Sequence, residues 1–145
     1  MNETANTRRK IISWAYRGRY AVTFGVVSAV ASGAQNFATA KDLGMAAPLK
    51  AIETYTFVLP AIDCYRTSNL KYTTNDKALN NLLSTAFKNL SNSQLPQSKK
   101  AAAQGAAKYD KMVATAGKQG FCAMAVKRYG PKGTVVRGLV VERRG

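Results

Sequence analysis

The stretch DKALNNLLSTAFKNL, residues 76–90, carries the clearest secondary-structure signal in the chain. Its apolar residues follow the spacing i, i+3, i+4, i+8, i+11, at Leu79, Leu82, Leu83, Phe87 and Leu90. With 3.6 residues per turn, these positions lie on one face of a helix. Thr74 or Asn75 is expected to cap this helix, because a short polar side chain can accept a hydrogen bond from its first turn. The stretch therefore predicts an amphipathic α-helix.

A second helix is predicted before this one, over residues 46–62. Pro48 falls near its start and Pro60 near its end, and these are positions that tolerate proline. The bulky run 54–58 is also compatible with a strand. We favour the helix, because apolar residues share one helical face along the segment.

A third, alanine-rich helix is predicted over residues 98–116, ending at Gly117. Beyond it the chain becomes more strand-like. Apolar and polar side chains alternate loosely along residues 122–129, which is typical of a strand. Residues 130–133 (Gly-Pro-Lys-Gly) predict a turn, and residues 134–141 are rich in β-branched side chains. The expected fold is therefore mainly α: a helical bundle with an extended basic N-terminal helical arm and a possible C-terminal β-hairpin.

Residues 8–40 combine a basic arm with a helix of small residues. The arm carries cations with aromatic residues between them, at Arg8, Arg9, Lys10, Trp14, Arg17 and Arg19. In the uncharged run that follows, small residues recur every fourth position, at Ala21, Gly25, Ala29 and Gly33. Such a ladder lets another helix approach closely. The long helix is expected to end with Gly44 as its C-terminal cap.

The chain of 145 residues carries a net charge of +15, which indicates a polyanionic partner. Eleven of the 22 lysine and arginine residues fall in residues 97–145, together with only two acidic residues. We divide the chain into a basic nucleic-acid-binding arm (1–19), a helical packing domain (20–120) and a basic C-terminal tail (121–145).

Lysines line one face of the predicted helix 98–116, and alanines, Tyr109 and Val113 line another. Asp110 is the one acidic residue within that helix, so few ion pairs along the helix would neutralise the lysines. Exposed lysines of this kind suit a phosphate backbone. The predicted nucleic-acid contacts outside the arm are Lys100, Lys108, Lys111, Lys127 and Arg128.

Several chemistries find no support in the sequence. There is no histidine, and the seven acidic residues are scattered along the chain. The sequence therefore predicts no catalytic site, no metal site and no cofactor. Cys64 and Cys122 could form a disulfide only if the fold brings them together, and we favour two small buried thiols. A non-enzymatic protein is expected.

A membrane-spanning helix is the main alternative for residues 20–39, because the uncharged run is long enough to cross a bilayer. Polar residues within the run lower its mean hydropathy, at Thr23, Ser28, Ser32, Gln35 and Asn36. Membrane contact is therefore not favoured. A ribosome-like RNA-binding protein shares the charge pattern and stays open as a further alternative.

The arrangement of Arg8-Arg9-Lys10, Trp14 and Arg17-Gly18-Arg19-Tyr20 ahead of a small-residue helix resembles one family. It is similar to the coat proteins of archaeal filamentous and rod-shaped viruses with linear double-stranded DNA. The resemblance implies a dimeric virion subunit whose helices wrap DNA independently of its sequence. The strand-like C-terminal tail departs from that all-helical plan.

Together these observations predict a structural protein that coats and packages nucleic acid, with double-stranded DNA preferred, through phosphate contacts. It is expected to assemble with copies of itself or of a related subunit, and to reside in a virion.

Overall fold

The computed structural model describes residues 39–67 and 71–144, and this part of the chain is mainly helical, as predicted. The α-helices are α1 (Ala40–Ala46), α2 (Pro48–Val58), α3 (Cys64–Thr67), α4 (Asp76–Asn89) and α5 (Leu95–Tyr129). Two short 3₁₀ helices cover Leu59–Asp63 and Asn92–Gln94, and the strands are β1 (Tyr72–Thr74) and β2 (Val140–Glu142).

Helix α4 confirms the amphipathic prediction. Its first turn is capped by Asn75, whose side-chain oxygen accepts a hydrogen bond from the backbone N–H of Ala78 at 3.2 Å. The buried face consists of Leu79, Leu82, Leu83 and Ala86. Phe87 and Leu90 pack against the edge of the core, so all five predicted apolar positions contribute to it.

Helix α2 lies at the centre of the core and packs along both α4 and α5. Pro48 occupies its first turn, and Pro60 falls in the 3₁₀ helix that follows. The fully buried residues Ile52, Tyr55 and Val58 lie three residues apart, on neighbouring positions of one helical face. The preference for a helix over a strand in this segment is therefore confirmed.

Helix α1 corrects the prediction that Gly44 ends a long helix. Thr39 is extended, and its hydroxyl oxygen accepts a hydrogen bond from the backbone N–H of Asp42 at 3.2 Å, so a helix begins at Ala40. Gly44 lies inside this helix and is buried against α4. A Cβ atom there would lie 2.9 Å from the Cβ of Thr85, so glycine serves close helix packing at this position.

Helix α5 bends sharply at Gly117, where φ is 70° and ψ is 175°. This left-handed backbone favours glycine, because a Cβ atom would crowd the main chain. On a straight helix Tyr109 and Phe121 would lie about 18 Å apart along the axis. Their ring centroids are 4.8 Å apart, so the segments before and after Gly117 fold back towards each other.

The first helical segment of α5 therefore ends at Gly117, as predicted, but residues 122–129 are helical where a strand was expected. Phe121, Cys122, Ala125 and Tyr129 are buried, with the spacing i, i+1, i+4, i+8 of a helical face. The proposed domain boundary between residues 120 and 121 falls within α5.

The C-terminal β-hairpin prediction is wrong in its pairing. The turn at residues 130–133 is present, but it leads from α5 into a loop instead of joining two strands. β2 pairs antiparallel with β1, with Tyr72 opposite Glu142 and Thr74 opposite Val140. The β-branched C-terminal segment thus pairs with a strand that lies nearly seventy residues earlier in the chain.

Cys64 and Cys122 form a disulfide, which corrects the expectation of two free buried thiols. Their Cα atoms lie 5.6 Å apart, within the usual range for a disulfide. The bond joins the short helix α3 to the segment of α5 after Gly117. Both residues are almost completely buried in the core.

Candidate nucleic-acid interface

The basic residues of α5 and the C-terminal segment are all on the surface. Each of the eleven lysine and arginine residues in 97–145 is exposed, whereas this region holds only Asp110 and Glu142 as acidic residues. The predicted contacts Lys100, Lys108, Lys111, Lys127 and Arg128 belong to this set. Together these cations make the last third of the sequence strongly positive.

The segment of α5 before Gly117 separates a packing face from a charged face, as the sequence predicted. Ala101, Ala102 and Gly105 are buried against α2, and Tyr109 packs against the core. Lys100 and Lys111 project from the opposite side. They lie eleven positions apart on the helix, so their Cα atoms are about 16 Å apart along the axis.

Lys108 has an acidic partner on α2. Its ammonium group contacts Oε1 of Glu53, and Lys50 Nζ approaches the same oxygen at 3.0 Å. Burial alone would raise the pKa of Glu53, but the two lysines outweigh this effect and hold the pKa below 4.5. Lys108 is therefore partly neutralised, and a phosphate would have to compete with Glu53 for it.

This ion pair gives stability a specific pH dependence. Because Glu53 has a lower pKa in the folded state, its carboxylate stabilises the fold above the unfolded pKa of 4.5, and this contribution disappears as the pH falls through the folded pKa. We expect Glu53→Gln to lower the free energy of unfolding by about 1 kcal/mol at pH 7, since both lysines remain hydrated. Denaturant unfolding of the two proteins at pH 7 and pH 3 measures the difference.

Glu142→Gln is the matched control, because it removes an exposed carboxylate outside this ion pair. The difference between wild type and Glu53→Gln should be smaller at pH 3 than at pH 7, because the contribution of the Glu53 carboxylate is lost as falling pH protonates it. A difference that is equal at both pH values would show that Glu53 acts through packing.

Lys127 and Arg128 lie in the last turn of α5, where a cation interacts favourably with the partial negative charge at the C-terminal end of the helix dipole. The carbonyl oxygens of these residues accept hydrogen bonds from the backbone N–H groups of Thr134 at 3.3 Å and Val135 at 3.0 Å. Burial raises the pKa of the neighbouring Tyr129, although the charge of Arg128 opposes the shift. Both basic side chains stay exposed, so helix capping and a phosphate contact are compatible here.

Tyr65, Arg66 and Arg143 form a cluster that no sequence pattern predicted, and we call it the tyrosine–arginine cluster. The guanidinium carbon of Arg143 lies 4.1 Å from the centroid of the Tyr65 ring, and that of Arg66 lies 5.3 Å from it. Arg66 Nε also donates a hydrogen bond to the Tyr65 hydroxyl at 2.7 Å. The adjacent Tyr65-Arg66 pair was the one local signal, because Arg143 is distant in sequence.

The remaining predicted site residues lie outside the described residues. They are the arm residues Arg8, Arg9, Lys10, Trp14, Arg17 and Arg19, and the small-residue ladder Ala21, Gly25, Ala29 and Gly33. The described chain does contain another small-residue contact, formed by Ala101 and Gly105 at i, i+4 on α5. The spacing rule used for the N-terminal ladder could have found it.

Within residues 39–67 and 71–144, no helix combines the length and apolar character needed to cross a bilayer. The same residues contain no group of three or more acidic, cysteine or histidine side chains placed to hold a metal ion. No protein-family model, curated protein or solved structure matches this chain.

Proposed function

We propose that this protein is a non-enzymatic structural subunit that coats double-stranded DNA through sequence-independent phosphate contacts and assembles with copies of itself in a virion. The observation that carries the proposal is the exposed cationic surface of α5 and the C-terminal segment. The net charge of +15 supports it, since a compact chain with this surplus repels itself unless an anionic partner compensates.

The expected mode of binding is neutralisation of phosphates by lysine and arginine, with release of condensed counterions. This mode carries no sequence information, because phosphates are the same at every base pair. It suits a protein that must cover a whole genome. The positions of Lys100 and Lys111 on the outer face of α5 allow one helix to contact more than one phosphate.

Salt dependence tests the cationic surface directly. We expect the triple variant Lys100→Ala, Lys111→Ala, Lys127→Ala to lower the slope of log binding constant against log salt by about 0.9 per lost contact, or just under three in all. Filter binding to a random-sequence duplex between low and moderate salt measures this slope. The slope falls because each phosphate that loses its lysine contact keeps its condensed counterions when the protein binds.

The matched control is Lys41→Ala, Lys77→Ala, Lys88→Ala, which removes three exposed lysines from α1 and α4. It changes the net charge equally, so a much smaller change of slope is expected if the surface of α5 forms the interface. Equal effects of both triples would exclude α5 as the interface. Absence of salt-dependent binding by the wild type would refute the proposed function.

Assembly is the second component of the proposal and has its own readout. Electron microscopy of the protein mixed with long duplex DNA should show regular filaments that are absent without DNA. A single bound copy per particle would instead favour the ribosome-like alternative. The comparison between duplex DNA and duplex RNA of equal length, in the same assay, determines which nucleic acid is preferred.

A further inference from the structure

We propose that the tyrosine–arginine cluster is a preorganised phosphate-binding site, in which Tyr65 holds Arg66 and Arg143 ready to contact a phosphodiester backbone. This inference rests on the proposed function and names a specific phosphate-binding site for it. Arg66 and Arg143 are both exposed, so their guanidinium groups are accessible to a ligand.

The ring of Tyr65 makes it possible to hold two like charges close together. Both guanidinium carbons lie within 6 Å of the ring centroid, the range in which a cation is attracted to an aromatic ring. The hydrogen bond from Arg66 Nε to the tyrosine hydroxyl further fixes the orientation of Arg66. Two long side chains thus lose conformational freedom before any ligand binds, which favours binding.

The backbone around the cluster is held by three separate contacts. The disulfide between Cys64 and Cys122 anchors the residue next to Tyr65. The backbone N–H of Arg143 donates to the carbonyl oxygen of Lys71 at 2.5 Å, next to the β1–β2 pairing. The Thr73 hydroxyl donates to the Ile62 carbonyl oxygen at 3.1 Å, which ties β1 to the segment before α3.

The charge balance leaves this cluster positive. Asp63 Oδ1 approaches Arg66 Nη1 only at 4.0 Å, and both side chains are more than 60% exposed, so this pair is weak. Lys71 directly precedes β1 and Arg144 directly follows Arg143, so both add positive charge, whereas Glu142 at the end of β2 adds one negative charge. A planar guanidinium can bind a phosphate through two parallel N–H groups, which a lysine ammonium cannot do.

The test uses variants that keep the net charge constant. Tyr65→Leu removes both the ring and the hydroxyl, and Arg66→Lys with Arg143→Lys keeps two cations but removes the planar groups. We expect each to weaken binding to a 20-base-pair random duplex about tenfold at fixed salt, comparable to the loss of one charge-assisted hydrogen bond. Arg137→Lys is the matched control, because it replaces one exposed arginine outside the cluster and keeps the charge, and it should change affinity less than twofold.

The outcomes separate this site from the proposed function. If the wild type binds DNA with the expected salt dependence but the cluster variants behave like the control, the cluster is not a phosphate site, although the proposed function stands. If the wild type does not bind DNA, both are wrong. Thermal unfolding identifies a Tyr65→Leu protein that fails to fold, and the double lysine variant then decides the question, because its side chains are solvent-exposed.

Discussion

Replacing the disulfide, by Cys64→Ala with Cys122→Ala, is expected to lower the free energy of unfolding by about 4 kcal/mol. The two residues are separated by 58 positions, so the bond closes a long loop and restricts the unfolded chain strongly. It also joins α3 to the far segment of α5, two elements that are otherwise distant in sequence. Denaturant unfolding of oxidised and variant proteins measures the effect.

Reduced wild-type protein is the control that separates cross-linking from packing, because it keeps both sulfur atoms in the core. We expect it to unfold at nearly the same denaturant concentration as the double alanine variant. Because both sulfurs are buried, reduction should require partial unfolding and be slow under native conditions. Equal stability of oxidised and reduced wild type would contradict a stabilising role for the bond.

Gly105→Ala is expected to destabilise the protein by about 3 kcal/mol, the upper part of the range for overpacked cores. A Cβ atom at this position would overlap the Thr56 hydroxyl and the carbonyl oxygen of Glu53. The Thr56 hydroxyl is itself held by a hydrogen bond to that carbonyl at 3.0 Å. Helices α2 and α5 would therefore have to separate.

The sign of this effect distinguishes packing from helix propensity. Alanine in place of glycine at an open helix position should stabilise by about 1 kcal/mol. Ala103→Gly, on the exposed side of the same helix, is the matched control and should be destabilising by a similar amount. If Gly105→Ala raised the midpoint of thermal unfolding, the close contact between α2 and α5 would be wrong.

Thr56→Ala combined with Gly105→Ala should restore only part of the lost stability, because the Glu53 carbonyl oxygen remains in the way.

Local patterns predicted those parts of the fold that local interactions determine. The apolar face of α4, its Asn75 cap and the position of Pro48 in α2 each depend on residues within a few positions of one another. The continuation of α5 beyond Gly117 and the pairing of β2 with β1 depend on contacts between distant segments. A β-branched run predicts a strand, but it does not identify the partner strand.

The same distinction applies to the candidate interface. The sequence predicted which face of α5 would carry lysines, since that follows from helix geometry. It did not predict that Glu53, on α2, would pair with Lys108, or that Arg143 would stack on Tyr65. These contacts arise only when separate elements pack together, so charge patterns along one helix could not reveal them.

The bend at Gly117 has a topological consequence. The two segments of α5, before and after Gly117, each pack on the core through their own buried residues. These are Ala101 and Gly105 in the first segment and Phe121 and Ala125 in the second. Residues 114–119, at the joint, are all exposed. Residues at the joint are therefore not part of the buried contacts that hold the two segments on the core. A circular permutant with new termini at Gly117 should consequently preserve both segments in place, since exposed tips are where chain breaks are best tolerated.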